Sequence, residues 1–302
     1  MPTSGDETTD RQIRTIVAVV TLLLVHHSIG ARVWDGRIGP DDTSLLMIKV
    51  AHGLGAAVLS AGALFMGLAA ALGTGPARML GSVRRLRRTW TALASLFIAM
   101  ALVGVIWPID FEIIRSLLEA SPLADKVIEE TEDGGFTLSY IFLFLNNFGM
   151  SSFSFTLPGL MLYLVARFFH WLRPMSERGW LAYVAVALMA AAACFMPLMS
   201  MVVNGYVVGS VVAGDEDLPF PMTIPLLVPH GVLELPGIFL IAAVFVTLWR
   251  TLFWLLVDKD ATEGPRDVAA RLAPAYLCAF VILFTAAIVE VEATEYIFHI
   301  IF

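Results

Sequence analysis

Leu272–Glu290 reads LAPAYLCAFVILFTAAIVE, and its inner run Ala273–Val289 carries no charge at all. Wound as an α-helix, that run spans about 26 Å, close to the ~30 Å hydrocarbon core of a bilayer. The rest of the chain has the same character. Its 302 residues are 58% hydrophobic and 15% charged, with a mean hydropathy of +0.81. A soluble domain carries about 25% charge. The composition therefore describes one helical bundle solvated by lipid, an all-α polytopic membrane protein.

Seven segments are long and apolar enough to cross: Ile16–Trp34, Leu45–Leu72, Trp90–Trp107, Thr137–Val165, Trp180–Val203, Ile224–Val257 and Leu272–Glu290. The fourth contains Asn146, Asn147 and Pro158-Gly159; the sixth contains Pro225, Pro229 and Pro236. Proline removes a backbone donor and kinks or breaks a helix. Both segments are thus expected to be broken helices or half-helices. Arg11 and Arg14 before the first segment would also suit a leader peptide, with Ser28-Ile29-Gly30 as the small-residue site. The segment is read instead as a retained anchor.

Basic residues set orientation, because cytoplasmic loops carry the excess of Lys and Arg. Arg78, Arg84, Arg85, Arg87 and Arg88 crowd one loop with no acid among them. With that loop in the cytoplasm, only Arg32, Arg37, Lys49, Arg115 and Lys126 of the 19 basic residues face outward. The expected topology is a multi-pass protein of the cell membrane, N-terminus cytoplasmic and C-terminus extracytoplasmic. Outside the lipid, Pro108–Gly135 reads as a short amphipathic lid on the outer face. The net charge of −7 excludes a nucleic-acid partner. Cys194 and Cys278 lie within apolar runs and offer neither a disulfide framework nor metal spacing.

Ionisable groups at membrane depth are costly, so each one calls for a role. The sharpest group is Pro229-His230-Gly231-Val232-Leu233-Glu234-Leu235-Pro236. His230 and Glu234 are four apart and share a helix face. They suit a structural hydrogen bond, half of a metal site or a proton relay. The H-E-x-x-H arrangement of zinc proteases is absent. Glu290 closes the last apolar run. Glu292, Glu295 and His299 follow it at helical spacing, as solvated headgroup-level residues. Asn146, Asn147 and Asn204 add amides to the outer half of the bundle. Together these positions predict a polar cavity or cluster opening outward. His26, His27 and His52 are better read as packing residues.

Four blocks resemble the stage II sporulation protein M family (DUF95-type membrane proteins). They are Leu143-Phe144-Leu145-Asn146-Asn147, Val203-Asn204-Gly205 with Gly209, Pro229 through Pro236, and Ala286-Ala287-Ile288-Val289-Glu290. The resemblance covers about residues 137–295. It implies a division into a three-helix region with its outer amphipathic segment, 1–136, and a helical bundle similar to the family, 137–302. It also implies that Asn147, Asn204, His230, Glu234 and Glu290 are the recurrent polar positions. The sporulation member is a membrane component that holds envelope-remodelling partners, so the resemblance implies a scaffold or assembly component of the cell envelope. The bilayer, other envelope proteins or a second copy would then be its partners.

Two other classes fit the residues. One is an intramembrane metal-dependent, hydrolase-like enzyme with His230, Glu234 and Glu290 as ligands to zinc, iron or manganese. The other is a transporter or channel for a small ion or polar solute, which often uses broken helices at membrane depth.

Overall fold

The computed structural model describes residues 43–71, 73, 75–109, 144–172, 180–213, 220–258 and 262–301. These form α1 (Thr43–Ala71), α2 (Pro76–Arg85), α3 (Arg87–Ile106), α4 (Ser151–Leu172), α5 (Trp180–Ala213), α6 (Phe220–Leu255) and α7 (Pro265–Ile301). A π-helical turn, Leu145–Met150, leads into α4. Among the described residues there is no strand. An all-α answer is what lipid demands, since a helix satisfies its backbone groups internally.

Five stretches are long and apolar enough to cross a membrane: Arg87–Ile106, Leu145–Phe168, Tyr183–Ala213, Gly231–Leu255 and Pro265–Glu290. The chain is a membrane protein. The expected first span, Ile16–Trp34, lies outside the described residues, as does the amphipathic segment from 110 onward and the domain boundary at 136. The expected second span falls on α1, of which Ala57–Ala70 is a shorter apolar stretch.

The two expected breaks take another form. α6 runs helical from Phe220 to Leu255 through Pro225, Pro229 and Pro236. α4 runs helical through Pro158. Proline removes the donor for the carbonyl four residues earlier, Ser154 in the case of Pro158. At the neighbouring residue, Trp249 Nε1 of α6 donates to the Phe155 carbonyl at 2.9 Å. Gly159 makes room for that indole, because a Cβ there would strike the Trp249 ring. The departure from α-geometry sits instead at Asn146-Asn147, within the π-turn.

Pairwise contacts fix the relative sense of the helices. Phe155, Gly159 and Tyr163 of α4 meet Phe245, Trp249 and Phe253 of α6 in the same order, so these two run parallel. Gly205 and Gly209 of α5 meet Phe97 and Ala101 of α3, also in parallel. Ser152 of α4 receives a hydrogen bond of 2.8 Å from Tyr276 of α7. Phe144, just before the π-turn, packs on Phe280 and Phe284, further along α7. α7 therefore opposes α4 and α6. α1 and α2 both pack on α7, and α6 lies at the centre between α7, α5, α4 and α3.

Among the described residues, the closest backbone approaches join α3 and α5. A Cβ on Gly209 would collide with the Ala101 carbonyl oxygen, and one on Gly205 with that of Phe97. Small residues let helix backbones touch in lipid, where burial away from water supplies no attraction between them. The far end of the pair is tied by Tyr206 Oη, which donates to the Trp107 carbonyl at 2.8 Å, and by the Ile109 amide, which donates to Ser210 Oγ at 3.2 Å. Gly209→Ala should force the helices apart and cost about 1–3 kcal/mol, read as a lower unfolding midpoint in detergent. An unchanged midpoint would mean that α3 and α5 do not touch at this point.

Candidate functional site

The site is organised by one close approach between α6 and α7. Gly237 faces Leu283, whose Cγ would lie 2.7 Å from a Cβ at 237. Because the helices are antiparallel, moving outward from this point means falling numbers on α6 and rising numbers on α7. Two turns away, about 10 Å, the backbone reaches position 230 on α6 and position 290 on α7. The two positions therefore share one level. Glu234 lies between that level and the Gly237 contact. Across the junction Ala57 of α1 packs with Ile288 and Val289 of α7, and Leu233 of α6 closes on them. Three helices thus meet around an apolar plug, with the polar positions on its flank.

Glu234 and Glu290 are both half-buried. The Oε2 atom of Glu290 is fully shielded from solvent. Both residues are engaged by neighbouring groups. The arginines with described side chains (Arg78, Arg84, Arg85, Arg87, Arg88, Arg167, Arg250, Arg266 and Arg271) all lie at the other end of the bundle, together with Asp258, Glu263 and Asp267. Glu234 and Glu290 are the charged side chains described in the opposite half. The side chain of His230 lies outside the described residues, as do those of His52, Glu292, Glu295 and His299, although each backbone is helical. His26 and His27 lie wholly outside them. Among the described residues, no group of three His, Cys, Asp or Glu is placed to hold a metal ion.

The amides fall elsewhere. Asn146 and Asn147 are half-buried in the π-turn, with Asn146 Nδ2 3.5 Å from Asn147 Oδ1. Phe148 of that turn packs on Tyr276 and Phe280, which lie inward of Glu290 along α7. Asn204 is exposed on α5 and donates to Ser200 Oγ at 3.0 Å. Its neighbour Gly205 is the residue turned toward α3. The described structure thus brings the levels of His230 and Glu290 together, places Asn146 and Asn147 in the π-turn beside α7, and leaves Asn204 exposed on α5. The sequence pattern does not single out Gly237. The available signal was the glycine placed directly after Pro236, seven positions from His230.

Residues 170–295 match the family model of stage II sporulation protein M. This part of the chain is similar to stage II sporulation protein M. The match takes in α5, α6 and most of α7, and so includes three of the four blocks on which the resemblance rests. Leu143–Asn147 lies before it, so the π-turn is outside the matched region. The α6–α7 contact and its polar flank are inside. Neither a curated protein nor a solved structure matches the chain.

The close approach can be tested by a double-mutant cycle. Gly237→Ala should destabilise the protein by about 1–3 kcal/mol through collision with Leu283. In a Leu283→Ala background the same change should cost much less. Equal costs in both backgrounds would show that these two positions do not meet.

Proposed function

We propose that this protein is a membrane scaffold or assembly component of the cell envelope, in which His230, Glu234 and Glu290 form a polar brace among α1, α6 and α7. The observation that carries this reading is the junction itself: Gly237 seated on Leu283, with Leu233 and Ala57 packed on Ile288 and Val289, the residues that precede Glu290. A carboxylate with a shielded oxygen beside an apolar plug suits a role in fixing helix positions. Buried polar groups in a bundle hold one arrangement of helices against others when their partners are in place. The family match supports an envelope role, and the apolar helices support a bilayer setting.

On this reading Glu290→Gln and His230→Ala each lower the unfolding midpoint of the detergent-extracted protein, by about 1–3 kcal/mol of stability. Protein–protein cross-links in native membranes should weaken in parallel. A variant as stable as the wild type would remove the brace from the proposal.

The common level of positions 230 and 290 favours one alternative, a divalent metal held by His230, Glu234 and Glu290. Imidazole with two carboxylates suits zinc, iron or manganese, and a metal in such a site would activate a bound water for hydrolysis. Elemental analysis of protein purified without chelator separates the two readings. The metal reading expects about one equivalent in the wild type and loss of it in His230→Ala. Metal-free wild-type protein ends that reading and leaves the brace intact.

A further inference from the structure

We propose that α2 and the first turn of α3 form a binding surface for the phosphate headgroups of anionic phospholipids. α2 is a short amphipathic helix docked on the end of α7. Met79 is fully buried and Leu86 is 4% exposed, and these two anchor the stretch to the bundle. Their burial leaves Arg78, Arg84, Arg85, Arg87 and Arg88 exposed on the other side. No carboxylate among the described residues pairs with any of them. Of the acids at this end, Glu263 pairs with Arg271 at 3.0 Å, Asp267 Oδ2 accepts from the Gly264 amide at 2.8 Å, and Asp258 is engaged as well.

Position decides the ligand. The spans Arg87–Ile106 and Pro265–Glu290 begin at this level, and Leu145–Phe168 and Gly231–Leu255 end at it. The arginines therefore stand where the apolar helices leave the hydrocarbon, which is the depth of lipid phosphates. Leu80, 60% exposed, stands among them. An apolar side chain amid arginines is the pattern of a helix lying in the interface, with its apolar atoms in the acyl boundary and its charges at the headgroups. Guanidinium groups grip phosphate oxygens in a bidentate manner. A soluble acidic partner would have no use for the exposed leucine.

The test follows thermal unfolding of the full chain in detergent with added phosphatidylglycerol, phosphatidylcholine or inorganic phosphate. Phosphatidylglycerol should raise the midpoint saturably, and phosphatidylcholine and phosphate should not. Arg84→Gln with Arg85→Gln, and separately Arg87→Gln with Arg88→Gln, should weaken the apparent phosphatidylglycerol affinity about 25-fold, about fivefold for each arginine. Arg87→Lys with Arg88→Lys should keep most of the response. If a glutamine pair fails to fold, the wild-type response still decides, because it must fade as salt rises from low to half-molar. A salt-insensitive shift, an equal shift with free phosphate, or full retention of the shift in both glutamine pairs overturns the proposal. So does an acidic protein captured through these arginines from phosphatidylcholine nanodiscs with no lipid response.

Discussion

Hydrocarbon gives an unpaired backbone group nothing to bond with, and the whole architecture follows from that constraint. Every described residue within the apolar stretches is helical, and even the prolines leave the helices running. Beside Pro158, the Phe155 oxygen accepts a hydrogen bond from an indole of α6. Lipid also removes the usual drive for helices to associate, so contact must come from shape and from hydrogen bonds between helices. That is why glycines stand at the tightest junctions: Gly205 and Gly209 on α3, Gly159 under Trp249, and Gly237 on Leu283.

These contacts divide the bundle into two regimes. One end is basic, exposed and built from helix termini. The other holds Glu234 and Glu290 against an apolar plug. The aromatic side chains Phe144, Phe148, Tyr276, Phe280 and Phe284 lie between, joining the π-turn to α7 through edge and tilted contacts. Such packing relieves the π-turn of any need to close like an ordinary helix. π-turns of this kind often accompany function, yet this one lies before the region matched to the family.

Much of this was legible in the chain. The charge-free run Ala273–Val289 declared its solvent, and the Arg78–Arg88 cluster declared which ends belong together. The senses of the helices are those required by alternate crossings. Proline was misleading because its cost depends on neighbours that only the fold supplies. Asn204 depends on phase in a similar way: Gly205 is the residue turned toward α3, and the side chain of Asn204 is exposed. Depth alone does not distinguish two faces of one helix. His230 and Glu290 could be grouped by depth, whereas their common level needed the Gly237–Leu283 contact, which no local pattern encodes.

The parallel pairing of α3 with α5 carries a consequence for synthesis. Two parallel neighbours cannot be consecutive crossings, and Tyr206 lies 99 residues beyond its partner Trp107. At about 5–20 residues per second of translation, α3 leaves the ribosome roughly 5–20 s before the helix that completes its glycine-lined groove. During that interval its small-residue face has lipid, an insertion factor or another nascent helix as its only company. That joint can nevertheless close before α6 and α7 are made, so the contacts of the central helix are added to an α3–α5 pair that can already be in place.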